Sequence, residues 1–122
     1  AECHTEPLMS RGDFSNNKLP VNMNKPDYGR FEITLHKKDS MRFKIPTLRN
    51  LSYSFPYMHD GRFANLRQVL QHYRLGAGKH LFKIKPYSLE EENYLMAFLL
   101  ALNDSVFIQN PAYKVPREFF NQ

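Results

Sequence analysis

The chain has no tryptophan, one cysteine, five glycines and no long apolar run. Each scarcity excludes something. A single cysteine cannot build an internal disulfide framework. The longest apolar segment, Tyr94 to Leu102, is about half of the ~20 residues a membrane-spanning helix needs. Lysine and arginine outnumber aspartate and glutamate by 17 to 12, for a net charge of +5. Yet Lys37-Lys38 and Lys83 with Lys85 are only short clusters, and no basic stripe follows a helical period, which argues against nucleic acid. There is no G-x-S-x-G, no P-loop and no H-E-x-x-H. Mean hydropathy is −0.58, polar for 122 residues that must build one core. Either that core is small, or something other than side chains fills part of it.

What is present is aromatic and punctuated. Ten Phe, seven Tyr and a 42% hydrophobic share exclude disorder along the whole length, and the length fits a single domain over residues 1–122. Residues 7–27 read as a long ordered loop, a kind of segment that is usually functional. Residues 28–34 suit a short helix capped by Asp27, but the alternation through Phe31, Ile33, Leu35, then Met41, Phe43 and Ile45 suits a hairpin over 31–45 equally well. Pro46 fits the first position of a helical turn over 47–51. Asn65 with Gln68, and Ser88 with Glu91, are capping boxes. They open two helices. The first carries Leu66, Val69, Leu70 and Tyr73 on one face and ends at Gly76. The second is strongly apolar through Tyr94, Leu95, Phe98, Leu99 and Leu102 and stops at Asn103-Asp104. Between them 76–87 reads as loop, and 105–122, with Pro111 and Pro116, as an extended arm. The two clear elements are helices, so the expected class is all-α.

The chemistry starts at Cys3-His4. A c-type haem site reads C-x-x-C-H: two thiols form thioethers with the haem vinyls and the histidine binds iron. Cys3 and His4 reproduce its last two positions. The first cysteine falls one place before Ala1, so the sequence is expected to be part of a longer chain. Taken alone, Cys3-His4 is also an ordinary free thiol beside a surface histidine.

Further motifs narrow the choice. Phe43-Lys44-Ile45-Pro46-Thr47-Leu48-Arg49-Asn50 is followed by Pro56-Tyr57-Met58-His59-Asp60-Gly61-Arg62-Phe63. Leu66, Val69, Leu70, His72 and Tyr73 come next. Upstream stand Pro7-Leu8, Phe14, Asp27, Gly29 and Arg30. In order and spacing the sequence resembles the C-terminal haem domain of bacterial di-haem cytochrome c peroxidases, including the MauG-type branch. The resemblance implies a cytochrome-c-like haem domain with short helices and long ordered loops, one covalent c-type haem, and an N-terminal haem domain of the same protein that reacts with peroxide. It also implies an oxidoreductase of peroxidase type as the parent protein, a periplasmic home and a small redox protein, such as a cytochrome, as donor. This half alone is not expected to be catalytic or to hold haem necessarily. A homodimer is left open.

The resemblance also assigns roles. Cys3 is the haem thioether and His4 the proximal iron ligand. Tyr73 stands where other members carry a methionine ligand, so it is the candidate distal ligand. A phenolate is hard and anionic and favours ferric iron, whereas a thioether favours ferrous iron and raises the potential. Tyr73 therefore points to a domain that shares oxidising equivalents, as in a MauG-like enzyme oxidising protein side chains, rather than to a simple electron acceptor. A non-catalytic electron-transfer module is the third reading and a haem-free binding domain the fourth. Met58 is a rival ligand or pocket residue, and Met41 a weaker one. His59, Arg49 and Arg62 are candidate contacts to the haem propionates, as is Arg30. His72 should face away from the pocket. Backbone carbonyls at Ser54 and Pro56 match an interdomain calcium site.

Overall fold

The computed structural model describes residues 3–77 and 87–114. The expected loop over 78–86 and the Pro116 end of the tail lie outside them. Two capping boxes set the frame. The Asn65 side chain accepts from the Gln68 amide at 3.1 Å while Gln68 Oε1 accepts from the Asn65 amide. This starts a helix over Leu66–His72. Ser88 and Glu91 exchange the same pair of bonds at 3.1 and 2.6 Å, and start a helix over Leu89–Ala101. Each cap contributes about 1 kcal/mol. With a short helix at Phe31–Thr34 and another at Ser105–Gln109, the helices in chain order are α1 (Phe31–Thr34), α2 (Leu66–His72), α3 (Leu89–Ala101) and α4 (Ser105–Gln109).

The expectations shift in four places. First, α1 forms and the 31–45 hairpin does not. Phe43 instead pairs with Ser15, in a two-stranded antiparallel sheet of β1 (Phe14–Ser15) and β2 (Phe43–Lys44). The strictly all-α expectation thus narrows to a helix-rich domain with one small sheet. Second, no helical turn spans 47–51. Asn50 is left-handed at φ 61°, which a right-handed helix cannot include, so the turn moves to a 3-10 segment at Leu51–Tyr53. Third, α2 does not end at Gly76. It widens at Tyr73 into a π-helical turn, Tyr73–Ala77, that contains Gly76. Fourth, residues 105–113 are not an extended arm. Asp104 Oδ1 caps α4 by accepting from the Phe107 amide at 2.9 Å, and Asn110 caps a 3-10 turn at Pro111–Tyr113.

Residues 28–42 close on themselves beside β2. The Arg30 amide donates to the Arg42 carbonyl at 2.9 Å, and the Met41 amide to the Tyr28 carbonyl at 2.9 Å. Gly29 makes this possible: its φ is +63°, and a Cβ there would sit 2.5 Å from the Arg42 oxygen. Inside the lobe Asp39 is buried. It accepts from the Thr34 hydroxyl at 2.8 Å and from Arg30 Nε at 3.3 Å. The Thr34 hydroxyl, with Arg30 and Lys38 adding to it, holds the Asp39 carboxyl below its ordinary range against the opposing effect of burial. A depressed carboxylate stabilises the fold above its unfolded-state pKa, and that stabilisation is lost as pH falls through the folded value. Asp39→Asn should therefore lower the melting temperature at about pH 7 and flatten its decline toward about pH 3. Melting curves across that range check this; parallel declines for both proteins would contradict it.

The core is thin. Among the described residues, the buried apolar side chains are Leu19, Ile45, Leu66, Leu70 and Leu99. Helix α3 carries apolar side chains around its whole circumference: Leu99 is buried, while Leu89, Tyr94, Leu95, Phe98 and Leu100 stay exposed. Against the buried Ile45 lies a cavity of about 430 Å³.

Candidate haem-binding cavity

The cavity is built by four separate stretches. The N-terminal arm contributes Cys3 and His4; the loop after it, Ser15 and Asn17; the stretch from β2 onward, Phe43 to Thr47 and Arg49; and the loop before α2, Ser54 and Pro56 to His59. Leu51 and Tyr73 complete the wall. Its volume is in the range of small-molecule and cofactor sites.

The arm is clasped by the Ile45-to-Arg49 stretch. Arg49 donates through Nε at 3.0 Å and Nη2 at 2.6 Å to the Pro7 carbonyl. The Thr47 hydroxyl donates to the Leu8 carbonyl at 2.6 Å, and the Leu48 amide to the Met9 carbonyl at 3.3 Å. Ser10 Oγ donates back to the Ile45 carbonyl at 2.8 Å. Arg49 thus lines the cavity with a guanidinium whose Nε and Nη2 are already used on the backbone.

His4 is oriented within that arm. Its Nδ1 donates to the Met9 carbonyl at 3.1 Å. A carbonyl can only accept, so Nδ1 carries the proton and a neutral ring keeps its free lone pair on Nε2. Metal-bound histidines are typically held in this way.

Tyr73 lines the same cavity as Cys3 and His4, on the α2 face shared with Leu66 and Leu70. Burial pushes its phenol above the ordinary range. A hydrogen bond with the Asn17 side chain works the other way, and the nearby Cys3 thiol adds to the rise. Asn17 also donates from Nδ2 to Met58 Sδ at 3.3 Å, and its carbonyl accepts from His72 Nε2 at 3.1 Å. Asn17 was not singled out by the sequence. A one-residue polar contact in a long loop has no periodic signature.

The loop before α2 is a tight excursion. The Tyr57 amide donates to the Phe63 carbonyl at 2.7 Å, the Tyr57 hydroxyl to the Leu51 carbonyl at 2.8 Å, and Met58 takes φ +73°. Gly61 fits because a Cβ there would press within 3.1 Å of the Pro56 ring. His59 stacks on Phe43, ring centroids 3.8 Å apart and 11° from parallel. Its Nδ1 is buried with no hydrogen-bond partner. An unpaired buried ring nitrogen beside a cavity is costly unless a polar group reaches it. Arg62 is not in the cavity wall. It donates from Nε to Asp60 at 2.8 Å and from Nη2 to the Pro20 carbonyl at 2.9 Å. Arg30 is likewise elsewhere, with its guanidinium 4.4 Å above the Phe14 ring. Met41 also lies outside the wall. His72 is not among the lining residues and donates from Nε2 to the Asn17 backbone carbonyl.

The donor set suits a haem. A thiol, a histidine with a free Nε2, a buried phenol and an orphaned imidazole nitrogen surround a space walled largely by carbon. A burial-raised phenol needs a strong adjacent positive charge to ionise, which is what a metal centre provides.

The chain is similar to several known proteins. It is 36% identical over 98 residues to the cytochrome-c peroxidase IdrP1 of Pseudomonas sp. (strain SCT), covering 76% of this chain and 26% of that protein. It is 28% identical over 117 residues to the cytochrome c551 peroxidase of Nitrosomonas europaea, covering 94% and 32%. With the methylamine utilization protein MauG of Methylorubrum extorquens it shares 40% identity over 83 residues, covering 62% and 24%. Among solved structures it resembles a MauG-like protein associated with microbial copper homeostasis, with a TM-score of 0.70 and 29% identity over 92% of this chain and 40% of that one. No family model matches. The chain spans about a quarter to a third of the curated relatives it matches.

Proposed function

Because the chain belongs to the bacterial cytochrome c peroxidase and MauG family, we propose that it is the C-terminal, cytochrome-c-like haem domain of a di-haem oxidoreductase that reduces hydrogen peroxide in the periplasm. The observation that carries the reading is His4: its Nδ1 is tied to the Met9 carbonyl, and it shares one cavity with Cys3 and Tyr73.

When bound, a c-type haem supplies one-electron redox chemistry at its iron. The residues of this chain do the rest. Cys3 would anchor the group as a thioether, and His4 would offer Nε2 to its iron. The Arg49 and Thr47 clasp fixes the arm that bears both. Tyr73 would serve as the second protein ligand and would keep peroxide from this iron, so that the domain would pass or store electrons for a second haem on the longer protein. His59, stacked on Phe43, would offer Nδ1–H to a propionate, and Arg49 lies within the same wall. Met58 is a wall residue whose sulfur already accepts from Asn17. Ser54 and Pro56, both exposed, offer backbone carbonyls of the kind calcium takes, with further ligands from the rest of the protein. A small redox protein is the expected donor.

The test uses the full-length protein matured where c-type haem is attached. Two covalent haems are expected by mass. Tyr73→Phe should open a coordination position and turn this haem's ferric spectrum from low-spin to high-spin. An unchanged low-spin spectrum would sink Tyr73 as ligand, and absence of haem would remove the enzyme reading. A MauG-like role in oxidising protein side chains is the second reading, favoured by Tyr73 itself. Turnover of peroxide with a small cytochrome, and none with protein substrates, argues against it.

A further inference from the structure

The side chain of Glu92 on α3 is fully buried and lies between two arginines. Arg67 Nη1, on the first turn of α2, stands 3.0 Å from Glu92 Oε1. Arg74 Nε stands 3.4 Å from Glu92 Oε2, a buried ion pair in which neither atom has a hydrogen-bond partner. Arg74 directly follows Tyr73 and belongs to the π-helical turn that Tyr73 opens. Turns of this kind concentrate at functional sites. Removing one partner of a buried ion pair leaves an uncompensated charge, which is strongly unfavourable, so α3 and this turn are coupled through one charged contact.

We propose that Glu92 is a positioning residue for the haem site: through Arg74 it fixes the turn that carries Tyr73, and so keeps the phenol oxygen on the iron. The inference rests on Tyr73 being the distal ligand. The two arms of the cluster divide its roles. Arg67 joins α2 to α3 at a distance from the ligand, whereas Arg74 joins the ligand's own turn to α3. Tyr87 adds a neighbouring tie, donating its hydroxyl to the Leu70 carbonyl at 2.6 Å.

The experiment compares four variants of the haem-loaded full-length protein by electron paramagnetic resonance, absorption spectrum and thermal melting. Arg74→Ala and Glu92→Gln should lower the ratio of six- to five-coordinate iron at this haem about tenfold, the scale on which residues that orient a ligand from behind act. Arg67→Ala removes the other ion pair and should cost melting temperature while leaving the spectrum as it is. Tyr73→Phe is the reference for complete loss of the ligand. If Glu92→Gln fails to fold, Arg74→Ala carries the test, because Arg74 is partly exposed. Spectra of Arg74→Ala and Glu92→Gln that match the parent, beside a changed Tyr73→Phe, overturn this inference alone. A spectrum shifted as far in Arg67→Ala as in Arg74→Ala also overturns it, by showing a general loosening. An unchanged Tyr73→Phe spectrum overturns the ligand reading and this inference together.

Discussion

Leu70→Ala is expected to cost about 2–5 kcal/mol of unfolding free energy, a large part of the roughly 5–15 kcal/mol that holds a domain together. Leu70 is 5% exposed and is one of the few buried apolar side chains among the described residues. It lies on the α2 face that also presents Leu66 and Tyr73. In a thin core the surrounding side chains have little freedom to collapse into the space left behind. Urea denaturation of the haem-loaded protein should show a lower midpoint with an unchanged slope. A loss below about 1 kcal/mol would mean that α2 does not anchor the domain.

Arg49→Ala is the second large effect. Two N–H groups of one guanidinium converge on the Pro7 carbonyl, and hydrogen bonds to charged groups are worth about 1.5–3 kcal/mol. The loss should be local. The Ser10 and Arg11 amides, which donate to the Thr5 and Cys3 carbonyls, should exchange their hydrogens roughly tenfold to a hundredfold faster, at about 1.4 kcal/mol per decade. Haem loading should fall with them, since the arm that presents Cys3 and His4 is no longer held. Arg62→Ala is the control. Its bonds to Asp60 and Pro20 lie outside the clasp, and exchange at Ser10 and Arg11 should be unchanged. Equal exchange in both variants would refute the clasp.

That contrast also shows what a sequence of this kind reveals. Arg49 and Arg62 looked equivalent as cations near a haem. Their difference is set by partners 42 residues away, and no local pattern reports that separation. Likewise Thr47 read as part of a helical turn, while its hydroxyl serves the Leu8 carbonyl. The helices at Asn65 and Ser88 were legible because a capping box is complete within four residues. Alternation at Phe31 to Ile45 stayed ambiguous because each strand of the real sheet is only two residues long, too short to leave a period. Cys3, His4 and Tyr73 were named by motif and lie in one cavity wall. Asn17, which touches the Met58 sulfur and the Tyr73 side chain, had no motif to mark it.

The backbone at Met58 has a consequence for how this sequence can drift over generations. At φ +73° the residue occupies the left-handed region, where a non-glycine side chain costs on the order of 1–3 kcal/mol and a branched β-carbon crowds the chain further. Valine, isoleucine and threonine are therefore shut out of this position by the main chain, before any demand of the cavity is considered. Unbranched side chains, asparagine and glycine remain admissible. Variation in the wall beside His59 is filtered first by backbone shape and only then by chemistry.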